Sequence, residues 1–201
     1  MNDSQSPEKG GIGMDKRERI IRAAVEVFRE KGIEKTKVSD IVRKAEIAQG
    51  TFYLYFPSKL SVMPAIAARM AGQLEQEIRD TARPDEAWEA QIGRLVDAVF
   101  KVTGEYRDVA ILVYAGLSST EQVKEWEEIY MPLYREVAGL IRVWQENGYA
   151  RQADPFRLAR LSVGLIESAA EQVYLYDSYD PAQEKVQKEE LLLFLQHALR
   201  R

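Results

Sequence analysis

Residues 37–59 read KVSDIVRKAEIAQGTFYLYFPSK. Apolar side chains recur at helical spacing within residues 38–45, which predicts a short amphipathic helix. A tight turn over residues 46–48 and an aromatic-rich helix over residues 49–56 follow. A longer amphipathic helix precedes the stretch and ends at Gly32, a typical residue for a helix C-terminus. Two short helices packed on a longer one indicate a helix-turn-helix unit, whose second short helix enters the major groove of DNA.

The second short helix has two kinds of position. Phe52 and Phe56 alternate with Tyr53 and Tyr55, so we expect the phenylalanines in the core and the tyrosines outside. Hydroxyl and phenol groups suit phosphate oxygens, and Gly50 allows close approach of the backbone to DNA because it has no Cβ. A tyrosine pair that packs against the rest of the chain is the alternative.

The segment after this unit predicts a fourth helix, from a cap at Ser58 to about Thr81. Lys59 would lie in its first turn, where the helix dipole disfavours a cation, so we expect a phosphate partner there. Pro64 would lie six residues inside, where proline costs about 3 kcal/mol. This helix joins the helix-turn-helix unit to the rest of the chain. We therefore expect a kink at Pro64 that acts as a hinge and couples ligand binding to DNA binding.

The stretch Gly50–Lys59, GTFYLYFPSK, resembles the signature of the TetR/AcrR family of one-component regulators. The resemblance covers residues 15–63, and beyond them only the helical layout is similar. It implies an all-α homodimer with a DNA-binding head and a larger ligand-sensing body, which represses transcription until a small molecule releases it from DNA. The DNA contacts that it implies are Lys37, Ser39, Gln49, Gly50, Thr51, Tyr53, Tyr55 and Lys59.

Three positions depart from the usual pattern of this family. Lys37 replaces a capping threonine, which leaves Thr36 as an alternative cap. Glu46 replaces a turn glycine, and Ala48 replaces a capping serine. A lost cap costs about 1 kcal/mol, and a non-glycine residue at positive φ costs a similar amount. We expect a less rigid head, in which Lys37 adds a phosphate contact and Ala48 makes none.

Charge and composition favour DNA binding over catalysis. Residues 15–59 carry eleven Lys/Arg and seven Asp/Glu, a net +4, whereas residues 60–201 carry −7. The absence of cysteine and the single histidine, His197, argue against a catalytic triad and a metal site. We expect no catalytic residue, metal or cofactor. No apolar leader is visible, and apolar runs such as Leu191–Leu195 are too short to span a bilayer, so a cytoplasmic protein is expected.

The whole chain predicts an all-α fold of about nine helices. Residues 1–14 form a disordered tail in which Met14 is an alternative start, residues 15–62 the DNA-binding domain, and residues 63–201 the effector-binding and dimerisation domain. Within the last, we expect helices from Asp85, from Tyr106 to Leu117, from Thr120 to Asn147 with a break at Pro132, and after Asp154-Pro155 and Asp180-Pro181.

Two sets of residues in this larger domain are candidates for further sites. Aromatic side chains, with acidic groups such as Glu167 and Glu171 beside them, could line a pocket for an apolar or aromatic effector, although each alone fits a core position. The pocket candidates are Trp88, Phe100, Tyr114, Tyr130, Tyr134, Glu167 and Tyr174. Apolar stripes in the last two helices could form a dimer interface or an intramolecular core. The interface candidates are Leu158, Leu161, Leu165, Ala169, Leu192, Leu195 and Leu199.

These observations predict a ligand-responsive repressor that binds a pseudo-palindromic operator as a homodimer and has no membrane partner. An activator or architectural protein with the same head but a filled body is the first alternative. A helical enzyme or adaptor is the second, and it would need convergent catalytic groups that the sequence lacks.

Overall fold

The computed structural model describes residues 15–83, 85–116, 120–176 and 179–201, without the side chains of residues 108–126 and 176. The expected tail, with Met14, lies outside these ranges. The described residues contain eight α-helices and no β-strand, which confirms the all-α prediction. The helices are α1 (Lys16–Lys31), α2 (Val38–Lys44), α3 (Gln49–Tyr55), α4 (Met63–Thr81), α5 (Trp88–Gly116), α6 (Thr120–Glu146), α7 (Pro155–Glu171) and α8 (Pro181–Leu199). Within these ranges, no helix is long and apolar enough to cross a membrane.

The chain divides into two compact units, one ending at Lys59 and the other beginning at Leu60. In the first unit, α1, α2 and α3 pack on one another. Asp15 caps α1 by accepting from the N–H of Arg17 at 3.2 Å, and Gly32 ends it with φ of 73°. The apolar face of α1 is buried, as its periodicity predicted, through Ile20, Ile21, Ala24, Val27 and Phe28.

The second unit is a bundle of α4–α8, in which α6 packs on α4 and α7, and α5 packs on α4, α7 and α8. Aspartate-proline pairs start its last two helices as expected. Asp154 accepts from the N–H of Phe156 at 2.9 Å, and Asp180 accepts from the N–H of Ala182 at 2.9 Å. A π-helical turn, Gln172–Tyr176, extends α7.

The start of α4 differs from the prediction. A short 3₁₀ turn, Leu60–Val62, comes first, and α4 begins at Met63, so Ser58 is not its cap. Pro64 therefore lies in the first turn, where its missing N–H has no intrahelical partner to lose. The predicted position of Pro64 inside the helix was wrong, and the kink and hinge predicted there lose their physical basis.

Two other interruptions are absent from the described helices. Helix α6 continues through Pro132. The helices expected from Asp85 and from Tyr106 are one helix, α5. Gly104, near the expected break, lies inside α5, and the Tyr174 ring packs over it; a Cβ there would lie 3.1 Å from Tyr174 Cζ.

Candidate nucleic-acid interface

Helix α3 has one face buried in the core of the first unit and one face exposed to solvent. Phe52 is completely buried and Phe56 nearly so, with ring centroids 5.8 Å apart, which confirms their predicted place in the core. Tyr53 and Tyr55 are 49% and 40% exposed. The alternation therefore separates the side chains that hold α3 from those that are free to contact a ligand.

The rest of the exposed α3 surface surrounds these tyrosines. Gln49 and Gly50 are exposed and Thr51 is half-buried. A Cβ on Gly50 would meet no described atom within 4 Å, so packing within this chain does not explain the glycine. Leu54 is 82% exposed and was missed by the sequence analysis; its position between two exposed tyrosines was the available signal.

Asp40 organises the start of α2. Its carboxylate accepts from the backbone N–H of Lys37 at 3.0 Å, from Lys31 Nζ at 2.8 Å and from Arg43 Nη2 at 2.9 Å. The hydrogen bond from Lys31, followed by the one from the Lys37 N–H, lowers the pKa of Asp40 below its ordinary value. The Lys37 side chain makes no cap and is exposed, as is Ser39, so both remain available to a phosphate.

Thr36 does not cap α2, so this expectation was wrong. The N-cap position is that of Lys37, one residue later in the chain. Thr36 is buried, and its hydroxyl donates instead to the carbonyl of Gly32 at 2.7 Å.

The turn between α2 and α3 has the predicted strain. Glu46 has φ of 52° and is the only non-glycine with positive φ among the described residues. Ala48 occupies the N-cap of α3 without a side-chain hydrogen bond. Both departures read from the sequence therefore have the expected local consequence.

Lys59 does not lie in the first turn of α4, so the dipole argument for its phosphate contact was wrong. Its ammonium group donates to the carbonyl of Ile33 at 2.6 Å and to that of Thr36 at 2.9 Å. It thereby ties the end of the α3 segment to the loop between α1 and α2. A lysine ammonium has three donors, so two of the three serve the structure.

Comparisons with known proteins agree with this geometry. Residues 20–69 match the family model of bacterial regulatory proteins of the tetR family, and residues 92–199 match the tetracyclin repressor-like C-terminal domain. The HTH-type transcriptional regulator YvdT of Bacillus subtilis is 36% identical over 185 residues, 92% of this chain and 95% of YvdT. The chain belongs to the TetR family. It is thus a DNA-binding transcriptional regulator of helix-turn-helix type.

Two further relatives of this TetR-family regulator carry functional names. The fatty acid metabolism regulator protein of Bacillus subtilis is 26% identical over 143 residues, 70% of this chain and 74% of that protein. The solved structure of the fatty acid degradation regulator FadR from Bacillus halodurans has a TM-score of 0.73 and 26% identity, covering 90% of this chain and 98% of that one.

Among the described side chains, ring contacts join the aromatic candidates for the effector pocket of the regulator into three groups, while Tyr114 lies outside the described side chains. Trp88 is buried edge-on to Trp144, with centroids 6.3 Å apart, and Trp144 donates to Gln91 at 2.8 Å. This packing fits the core alternative for Trp88.

A second group lies between α6 and α7. Tyr130 is buried, packs on Tyr134 with centroids 5.7 Å apart, and donates its hydroxyl to Glu167 at 2.7 Å. Burial, with a smaller contribution from the charge of Glu171, raises the pKa of Glu167 to about 7, against the opposing effect of the Tyr130 hydrogen bond. The carboxyl group of Glu167 is therefore desolvated.

A third group joins α5, the π-helical turn and α8. Phe100 is completely buried and packs edge-on to Tyr174 at 6.2 Å, which fits the core alternative for this residue too. Tyr174 stacks on Tyr179 at 5.5 Å. Glu184 accepts from Tyr179 at 2.9 Å and pairs with Lys188 at 2.9 Å. Burial raises the pKa of Tyr174 above its ordinary value.

The dimer candidates on α7 and α8 divide into buried and exposed residues. Leu158, Ala169, Leu195 and Leu199 are buried within the single chain, because they lie on the inner faces of the two helices; their assignment to an interface is corrected. Leu161 and Leu165 are 69% and 37% exposed, and Leu192 is half-buried.

The sequence analysis missed part of this exposed surface. Leu193 and Phe194 are 52% and 62% exposed. Two neighbouring grooves share Leu165 and Phe194 in their walls. The available signal was the run Leu191–Leu195, which makes α8 apolar on opposite faces, and such a helix buries more than one side.

Proposed function

We propose that this protein is a cytoplasmic, ligand-responsive repressor that binds a pseudo-palindromic operator as a homodimer and releases it when a small apolar or aromatic effector binds the α4–α8 unit. The observation that carries the proposal is α3, which exposes Gln49, Gly50, Tyr53 and Tyr55 from a base fixed by Phe52. A recognition helix needs this combination of a rigid base and a free polar surface.

The charge of the first unit supports contact with the DNA backbone. The net +4 of residues 15–59 contrasts with the acidic remainder, and phosphate contacts supply most of the affinity for duplex DNA. Lys37 and Ser39 at the start of α2 and the third donor of Lys59 are the proposed positioning contacts. Gln49, Thr51, Tyr53 and Tyr55 are the proposed contacts from α3, and Leu54 suits the methyl group of a thymine.

Binding to DNA is tested with the coding region's own upstream region and with a duplex that the protein selects from a random library. Log K should fall by about 0.9 for each phosphate neutralised as log salt rises. Lys37→Gln should flatten that slope by about 0.9, the loss of one phosphate. Lys185→Gln, which removes an exposed lysine of α8, is the control expected to leave the slope unchanged. If the protein selects no duplex from the library and does not bind the upstream region at low salt, the proposed function is refuted.

We propose the exposed α7–α8 surface as the dimer interface. Leu161, Leu165, Leu193 and Phe194 present apolar area to solvent, and contiguous apolar patches of this kind mark association surfaces. Dimerisation through this surface would give the regulator the two-fold symmetry of a pseudo-palindromic operator.

We propose an effector whose main feature is an apolar chain or ring. The group of Tyr130, Tyr134 and Glu167 supports this, because it combines aromatic surface with one polar group that can orient a ligand. The two relatives named for fatty acid metabolism make long-chain acyl compounds the first to test. A long-chain fatty acid, its coenzyme A ester and an aromatic acid should be titrated into the complex with the selected duplex. Release by any of them supports the repressor, whereas release by none favours an activator or architectural protein.

A further inference from the structure

The turn between α2 and α3 has a glutamate at a position that usually holds glycine. The N–H of Ile47 donates to the carbonyl of Val42 at 3.0 Å, and the N–H of Glu46 donates to the carbonyl of Arg43 at 3.2 Å. These two bonds define a Schellman motif, whose left-handed residue is usually glycine. Here that residue is Glu46, with φ of 52°. The turn must therefore be held in place by more than its own backbone preference.

Arg19, on α1, contacts this turn directly. Its Nη2 donates to the carbonyl of Ala45 and, at 3.2 Å, to that of Glu46. The Schellman motif uses the carbonyls of Val42 and Arg43 and leaves these two carbonyls for another donor. They also lie at the negative end of the α2 dipole, where a cation is favoured.

A surface ion pair between Arg19 and the Glu46 carboxylate is the alternative role, and it accounts for the position of Arg19 less well. Its distance to the Glu46 carboxylate is 3.8 Å, and the Glu46 side chain is 86% exposed. Exposed pairs of this kind contribute little. The Arg19 side chain itself is only 33% exposed, so its hydrogen bonds to the two carbonyls face less competition from water than the ion pair does.

We propose that Arg19 is a positioning residue for DNA recognition, which clamps the α2–α3 turn and so fixes the direction of α3. The inference rests on the proposed binding of DNA through α3. Helix α3 begins at Gln49, two residues after the motif closes at Ile47. A small change of backbone angle at Glu46 would therefore move every exposed side chain of α3 relative to α2.

The experiment compares Arg19→Met with Arg22→Met, which removes a cation on the same helix that pairs with Glu18 at 3.2 Å. Amide hydrogen exchange is followed at Glu46 and Ile47, and binding is measured on the duplex selected by the unsubstituted protein. Arg19→Met should speed both exchanges and weaken binding about tenfold, the scale of one charge-assisted hydrogen bond. The slope of log K against log salt should stay unchanged, because no phosphate contact is lost. Arg22→Met should leave exchange at both amides unchanged.

A second background separates the clamp from the ion pair. Glu46→Gly removes the strain at positive φ. In this background, Arg19→Met should weaken DNA binding no more than about threefold, and a double-mutant cycle measures the coupling between the two positions. Glu46→Gln removes the carboxylate but keeps the strain, so the full tenfold loss should remain.

Each contrary result overturns the inference. A slope that falls by about 0.9 in Arg19→Met would make Arg19 a phosphate ligand. Unchanged exchange at Glu46 and Ile47, an equal effect of Arg22→Met on exchange, or equal rescue by Glu46→Gln would each contradict the clamp. If the unsubstituted protein selects no duplex, the proposed function fails, and the exchange data still decide whether Arg19 holds the turn.

Discussion

The carboxyl group of Glu167 makes the stability of the α4–α8 unit depend on pH. Burial raises its pKa from 4.5 to about 7, so the folded chain binds this proton more tightly than the unfolded chain does. Stability must therefore fall as pH rises from about 4.5 to about 7 and level off above. At about 1.4 kcal/mol per pKa unit, the full penalty is about 3 kcal/mol. This is an upper bound, because Glu167 keeps part of its surface exposed.

Glu167→Gln removes the titration and keeps an oxygen that can accept from Tyr130. Between about pH 5.5 and pH 8.5, the unsubstituted protein should lose up to about 2 kcal/mol relative to the variant. Urea unfolding at fixed protein concentration measures this through tryptophan fluorescence, since all three tryptophans lie after residue 60. Glu171→Gln is the matched control, because its charge contributes less to the shift than burial does, and it should keep most of the pH dependence. Parallel stability profiles of Glu167→Gln and the unsubstituted protein would refute the reasoning.

Three further predictions concern other elements. Asp40→Asn should speed amide exchange in α2 near neutral pH, because the hydrogen bonds that lower the pKa of Asp40 stabilise its ionised form. The difference in exchange between the variant and the unsubstituted protein should vanish as pH falls below 3.8 and Asp40 becomes protonated; a difference that persists in acid would contradict this. Phe194→Glu should dissociate the dimer in sedimentation, whereas Val143→Glu, on α6, should not; equal dimers in both would exclude the α7–α8 surface. Gly93→Ala, which meets no described atom within 4 Å, should stabilise the fold by about 0.5–1 kcal/mol. Gly104→Ala should be less stable than Gly93→Ala by about 1 kcal/mol or more, because its Cβ would lie 3.1 Å from Tyr174 Cζ and must displace that ring; equal changes of the two variants in urea unfolding would contradict the packing argument.

Local signals predicted much of the head. The alternation of Phe52 and Phe56 with exposed tyrosines follows from helical spacing, which depends on neighbouring residues alone. The strained position of Glu46 was predicted from the resemblance to the family, in which a glycine usually supplies the positive φ of this turn. The predicted start of α4 was wrong because two local signals competed. Ser58 suggested a cap, whereas Pro64 suits a first turn, and the observed helix begins next to the proline.

Features that depend on distant contacts could not be predicted. Tyr174 packs over Gly104 of α5 from seventy residues later in the chain. The stripe of α7 contains both buried Leu158 and exposed Leu161, and helical spacing does not reveal which neighbour covers each. The Lys59 bonds to the loop before α2 likewise join residues that are far apart in sequence.

Two copies of α3 are proposed to enter successive major grooves of one operator, and hydroxyl-radical footprinting of the selected duplex tests this arrangement. We expect two protected half-sites on one face of the duplex, centred about one helical turn or a multiple of it apart, and their loss in Tyr53→Ala. A single protected site, or an unchanged footprint with Tyr53→Ala, would contradict it.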